Sequence, residues 1–279
     1  MTATARRSTT LHYLSLALIT ALGAVLRFAF LDRPPIWGDE AATFARVCAT
    51  FDDLLGRLAD AGFAPVHYEL LWWIGQHHPL TPTTLRMLPA ITGTLMVPAM
   101  YWITRELLGR PSLSLLVALL TATNAYLLNF SRDAKMYSPF WFFAAVNIAS
   151  LLWWLRVRRG VAYSTWIASG TAMLAFHSLG GIPLVIGLLI MLASRRANWT
   201  AIPSVLASWV LGVGIWLLTI APFAALSLIP DLDHRCAIAI LIVGIINLLR
   251  VIILRLLRQS IAVERLLIRP FVGWLNFRT

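Results

Sequence analysis

Residues 84–104 read TLRMLPAITGTLMVPAMYWIT, and residues 112–130 read SLSLLVALLTATNAYLLNF. Each run is mostly apolar, and the short link between them, RELLGRP, carries Arg105 and Arg110. A helix rising about 1.5 Å per residue needs roughly 20 such residues to cross a hydrocarbon core about 30 Å thick. Two spans joined by a basic link is therefore the first reading, and the pattern repeats outward in both directions. Further apolar runs occupy residues 11–31, 137–155, 201–223 and 236–257. The stretch from Val161 to Ala193 is too long for one crossing. Arginines bracket it, Arg156, Arg158 and Arg159 before and Arg195 and Arg196 after. Both clusters belong on one side, so two short spans turning at Gly180-Gly181 satisfy the pattern. The expected fold is an all-α integral membrane protein, a multi-spanning helical bundle of about eight transmembrane helices with both ends inside.

Composition excludes the soluble classes. Hydrophobic residues make up 59% of the 279 positions and charged residues 13%, against about 25% charged in a soluble domain. The net charge of +11 does not point to nucleic acid, because the basic residues lie in short clusters between apolar runs. Lys135 is the single lysine among 23 basic residues. Cys48 and Cys236 are too few for a disulfide framework or a metal cluster. Lone cysteines usually act as small apolar residues, and one bridge between the two stays open. The first run, behind Arg6 and Arg7, is longer than the apolar core of a secretory signal. It reads as an uncleaved first span.

Charge fixes the orientation. Fifteen of the 23 basic residues fall on the proposed inner side, accompanied by Glu106 and Glu264. The other ten acids fall outside, and seven of these lie between Asp32 and Glu69. Lys/Arg bias alone does not gather acids on the outside, so the first outer loop, about residues 32–82, is where chemistry is expected. Pro34 and Pro35 break the exit from the first span. Phe44, Val47, Cys48, Phe51, Leu55 and Leu58 then recur at helical spacing, as on helices lying along the interface. Thr50 before Asp52 and Asp53 reads as a fresh N-cap. Tyr68, Trp72 and Trp73 suit the headgroup region.

Four groups carry candidate chemistry. In Trp37-Gly38-Asp39-Glu40-Ala41, adjacent carboxylates on one helix point about 100° apart and cannot address one atom. One could take a proton while the other orients a partner; alternatively Asp39 caps the following helix and Glu40 favours its dipole. In Ser131-Arg132-Asp133-Ala134-Lys135-Met136-Tyr137, two cations three residues apart could hold a phosphate. The plain alternative is an Arg–Asp surface pair with snorkelling side chains. Arg86 opens a span from the outer side, as a phosphate ligand or an interfacial anchor. His177 stands alone near the outer end of the fifth span, and no histidine pair has ligand spacing on one helix face.

In order, WGDEAATFARV (37–47), APVHYELLWWIG (64–75), RMLPAITGTLMVPAMYWITRELLG (86–109), NFSRDAKMYS (129–138) and FHSLGG (176–181) resemble the multi-spanning glycosyltransferases of the GT-C fold. The resemblance is strongest to protein O-mannosyltransferases and the lipid A aminoarabinose transferase, and it covers roughly residues 10–225. It implies a GT-C-like catalytic region over residues 1–225, with residues 226–279 adding one more span and a basic cytoplasmic tail that have no counterpart. Relatives are usually longer, with more spans and often an outer C-terminal domain.

The resemblance further implies transfer of a sugar from a polyprenyl-phosphate carrier to a lipid, glycan or protein hydroxyl, with inversion. The reaction would take place on the non-cytoplasmic face of the cell membrane. Asp39 would be the base, with Glu40 beside it. Arg132, Lys135, Arg86 and Tyr137 would bind the donor phosphate, and Pro65 and Tyr68 would shape the donor and acceptor loop. The leaving group is already an anion and needs cations rather than a proton. No cofactor is expected. The residues before Pro65, Ala61-Gly62-Phe63-Ala64, supply no ligand for a divalent metal, for which His177 is the one candidate. The rival classes are a non-catalytic carrier-lipid binder or transport protein, and a truncated inactive relative. Acids gathered at an interface rather than at mid-membrane favour chemistry on a headgroup over transport.

Overall fold

The computed structural model describes residues 3–61, 64–157, 160–193, 208, 210 and 211. They lie in the first of two compact units, Met1–Phe223. The expected span at 236–257, most of that at 201–223, the Arg158–Arg159 and Arg195–Arg196 clusters, Cys236 and the basic tail fall outside the described residues. Among the described residues all regular structure is helical.

The chain opens with α1 (Ala3–Phe28). It leaves that helix through Phe30, whose φ of 56° is left-handed, and through Pro34 and Pro35. Three short helices fill the first outer loop, α2 (Gly38–Val47), α3 (Phe51–Ala61) and α4 (Val66–His77). Thr50 caps α3 as expected, taking the Asp53 N–H at 3.2 Å and donating to Asp53 Oδ2 at 2.9 Å. Next comes α5 (Pro82–Leu108), which starts in a capping box between Thr81 and Thr84 and stops at Gly109, φ 65°. A left-handed residue closing a helix is the usual place for glycine. There follow α6 (Pro111–Thr123), α7 (Ala125–Ser131), α8 (Tyr137–Val157) and α9 (Gly160–Phe176). A tight 3₁₀ turn, Ser178–Gly180, leads to α10 (Gly181–Ala193).

Among the described residues three helices are long and apolar enough to cross a membrane: α1 from Thr10, α5 and α8. A fourth crossing is made if α6 and α7 act as one span bent by 56°. The sequence gives no warning of that bend beyond Asn124, which ends α6 and caps α7 by taking the Leu127 N–H at 3.0 Å. The turn expected at Gly180-Gly181 is present, between the 17 residues of α9 and the 13 described residues of α10.

Helix α5 is the central post, lying against α1, α6, α7 and α8, while α8 also packs along α9. Small residues make these approaches close. Ala99 meets Ala145 and Ala149 of α8, and Val97 meets Ala118 and Ala122 of α6. Close backbone approach through small side chains is how helices associate where lipid leaves no hydrophobic drive between them. At one end of the bundle, Arg156 of α8 grips Glu106 of α5, its Nη2 donating to Oε1 at 2.9 Å and its Nε standing 2.9 Å from Oε2 as an ion pair. At the other end sit the outer-loop helices. Their apolar stripe is packed on protein, Val47, Leu54, Leu55 and Leu58 closing over Tyr68, Leu71, Leu85 and Ala134. Phe44 and Cys48, expected on that stripe, are exposed, because the inward face of α2 is the one that carries Glu40, Thr43 and Val47. Tyr68 is likewise fully buried rather than set among headgroups, whereas Trp73 is 59% exposed.

Candidate active site

The first turn of α2 separates the two adjacent acids, as 100° of helical rotation requires. Trp37 is the N-cap residue, without a side-chain cap, so Asp39 is not the cap and is left exposed. Glu40 turns inward and is 1% exposed. Its Oε1 takes Arg86 Nε–H at 2.7 Å and its Oε2 takes an Arg86 Nη2–H at 2.5 Å. The Ala134 N–H also donates to Oε1, at 3.0 Å. Burial pushes the Glu40 carboxyl up, but these Arg86 and Ala134 bonds outweigh it and hold the group below its ordinary range.

Arg86 spends its remaining N–H groups on the exit from α1. It donates to the carbonyls of Leu31 at 2.8 Å, Pro34 at 2.9 Å and Pro35 at 3.2 Å. A guanidinium has five donors, and all five are used in a side chain 2% exposed. No donor is left for a phosphate. Arg86 is therefore a clamp joining α5, α2 and the end of α1, deeper than the interfacial anchor the sequence offered.

The turn from Ser131 to Tyr137 docks against α2 and α4. Trp37 Nε1–H donates to Asp133 Oδ1 at 3.3 Å, His67 Nε2 meets the Ala134 carbonyl at 3.4 Å, and the Tyr68 hydroxyl reaches Met136 Sδ at 3.8 Å. Asp133 is thus buried against Trp37, not paired on the surface with Arg132. Burial first, then repulsion by Glu40, raise its carboxyl to about 6. Burial holds the His67 imidazole down to about 4, so it sits neutral. With Nε2–H as donor to a carbonyl, Nδ1 is the buried acceptor, and it has no partner among the described residues. Burial also lifts the Tyr68 phenol to about 12 and the Glu69 carboxyl to about 7.

The two cations of the turn go different ways. Arg132 donates through Nη2 to the carbonyls of Ala29 at 3.1 Å and Phe30 at 3.0 Å, tying the turn to the end of α1. Lys135 comes across to α2, with Nζ 4.0 Å from Asp39 Oδ1. The lysine is 8% exposed and the acid 57%. Burial lowers the Lys135 ammonium more than Asp39 raises it, and Arg46 adds a second downward push. Arg46 itself sits over the Tyr68 ring at 5.7 Å. Arg46 lies seven residues, two helical turns, beyond Asp39 and so shares its face, a spacing that marks it in the sequence as a neighbour of the acid.

The remaining candidates flank this centre. Pro65 starts α4, its carbonyl taking the N–H groups of Tyr68 and Glu69 at 3.0 Å each. Tyr137 opens α8 in a group of rings, 5.4 Å from Phe130, 6.4 Å from Trp141 and 5.8 Å from His177. His177 Nδ1 accepts the Leu179 N–H at 3.1 Å, which fixes the tight turn after α9. No three His, Cys, Asp or Glu side chains among the described residues gather as a metal site.

An exposed acid held beside a buried amine, at one end of a membrane bundle, is what remains to be placed in a family. The family model for dolichyl-phosphate-mannose-protein mannosyltransferases matches residues 68–235, more than half of the chain. The chain belongs to that family. No curated protein and no solved structure matches it. The mannosyltransferase match takes in Arg86, the Ser131–Tyr137 turn and His177, and it begins beyond Asp39 and Glu40. Membership makes this a membrane glycosyltransferase of the kind that draws on polyprenyl-phosphate sugars.

Proposed function

We propose that this protein moves a sugar, with mannose the first to test, from a polyprenyl-phosphate carrier to an acceptor hydroxyl on the non-cytoplasmic face of the cell membrane. Asp39 takes the proton from the acceptor hydroxyl. The acceptor oxygen bonds to the anomeric carbon from the face opposite the phosphate, so that carbon inverts. The bond from the anomeric carbon to the phosphate oxygen breaks, and the carrier phosphate departs with the electron pair. Lys135, with Arg132 at the edge of the turn, offsets the charge on that phosphate. Glu40 and Arg86 hold the frame.

The observation that carries this reading is the 4.0 Å approach of Lys135 Nζ to Asp39 Oδ1. A group that accepts a proton and a group that meets an anion stand side by side, on separate elements brought together by the fold. A sugar does not fit between atoms this close, so substrate parts the pair on entry. The topology supports the same side for both. If α1, α5, the bent α6–α7 pair and α8 cross in turn, the first outer loop and the Ser131–Tyr137 turn share a face. Arg105, Arg110 and Arg156 then share the other, which the positive-inside rule assigns to the cytoplasm. The test is purified protein incubated with a panel of polyprenyl-phosphate sugars and hydroxyl acceptors. Transfer from at least one donor is expected, and none from nucleotide sugars. Transfer from a nucleotide sugar alone would contradict the proposal.

A further inference from the structure

Arg27 is fully buried within α1, and the groups it donates to are neutral. Its Nη1 donates to the carbonyls of Gly23 at 3.0 Å and Ala122 at 3.1 Å, and its Nη2 to that of Thr121 at 3.2 Å. Its Nε donates to Ser131 Oγ at 3.2 Å. An ionisable side chain inside a span is costly and calls for a reason. The reason is local. Thr121 and Ala122 stand in the last turn of α6, just before the 56° bend at Asn124, where helical carbonyls lose their usual partners. In a bilayer such groups must be satisfied from within the protein. Arg27 satisfies both, and with its third nitrogen it reaches the last residue of α7.

Gly93 of α5 closes the arrangement from the other side. A Cβ there would stand 2.1 Å from Ser131 Oγ, 2.6 Å from Ser131 Cβ and 3.0 Å from Arg27 Nε. A glycine is the one residue that lets α5, Arg27 and Ser131 meet. Ser131 leads directly into Arg132, Asp133 and Lys135.

From this geometry we infer that Arg27 is a positioning residue. It stabilises the break between α6 and α7 and, through Ser131, sets where the Arg132–Lys135 turn stands against Asp39. The inference rests on the proposed donor-phosphate role of that turn. It assigns no contact with substrate to Arg27, so its signature is weakened donor binding with the chemical step preserved. Loss of folded protein would instead lower the active fraction without changing affinity.

The experiment uses the full chain in lipid nanodiscs, with undecaprenyl phosphate as the binding probe and the corresponding phosphomannose for turnover. Arg27→Met is the direct variant. Ser131→Ala removes the hydroxyl from the same contact, and Gly93→Ala presses a Cβ into it from α5. Both variants are expected to weaken probe binding and raise donor KM by about tenfold, with kcat at saturating donor within about twofold of wild type. Wild-type affinity in both, measured on protein of unchanged size-exclusion profile, overturns the inference while leaving the glycosyl-transfer reading intact. A wild-type protein that does not bind the probe takes both down together.

Discussion

Replacing Glu40 by Gln removes one charge from a pair that water does not reach. Arg86 and Glu40 are 2% and 1% exposed and meet through two bonds, at 2.7 and 2.5 Å. A Gln can keep its carbonyl at the Oε1 position, where Arg86 Nε and Ala134 N donate. Its amide nitrogen then faces the Arg86 Nη2 donor, two donors with no acceptor between them, and the guanidinium charge is left buried without compensation. Removing one member of a buried pair costs roughly 3–5 kcal/mol, a large part of the 5–15 kcal/mol that typically separates folded from unfolded. Arg86→Met loses the same pair and also releases the carbonyls of Leu31, Pro34 and Pro35, so it should be at least as harmful. The double variant should lose clearly less than the sum of the singles. Steric-trap unfolding in bicelles gives these free energies directly. Losses that add to within about 0.5 kcal/mol would refute the coupled clamp and return Glu40 to the chemistry.

Three further outcomes are expected. Lys135→Ala should weaken undecaprenyl-phosphate binding by about tenfold or more, since a hydrogen bond to a charged group is worth about 1.5–3 kcal/mol; unchanged affinity would remove Lys135 from the phosphate site. Acid should act on His67 and Asp133 with opposite signs. His67, held at about 4, is passed over by a proton that the unfolded chain takes near pH 6.5, so its share of stability falls as pH drops through that interval. Asp133, raised to about 6, binds a proton in the folded state first, so its share rises as pH drops toward about 4. Melting temperatures from pH 7 to 4 should therefore show His67→Gln less acid-sensitive than wild type and Asp133→Asn more so; parallel curves for all three would contradict both assignments. Finally, a cysteine at Arg110 should react with an impermeant reagent only after cells are opened, and one at Asp52 in intact cells; the reverse would invert the topology.

Helix type and the main spans were legible because a 20-residue apolar run leaves the chain few alternatives. The Thr50 cap and the turn at Gly180-Gly181 were legible for a similar reason, since each is written in local chemistry. The bend at Asn124 was not, because its carbonyls are satisfied by Arg27, some 95 residues away, and no local pattern reports a partner at that distance. The division between Asp39 and Glu40 followed from helical geometry, but which acid would turn inward depended on Arg86. Arg86 itself looked like a phosphate ligand because its position was right. Its five donors were spoken for by carbonyls that only the folded path of the α1 exit supplies. The Arg132–Asp133 surface pair that stood as the plain alternative does not form, because the partner of Asp133, Trp37, comes from the outer loop 96 residues away.

The claim at the centre of this account is that Asp39 is the base, and Asp39→Asn tests it most directly. Asn keeps the size and removes the basicity, and because Trp37 occupies the cap position, no capping role at Asp39 confuses the outcome. A positioned carboxylate contributes about 10²–10⁴-fold in rate. Single-turnover transfer from a polyprenyl-phosphate sugar should therefore fall by about that factor in Asp39→Asn, with donor affinity and folding as in wild type. Transfer at the wild-type rate, with equal expression and equal donor binding, would contradict the account.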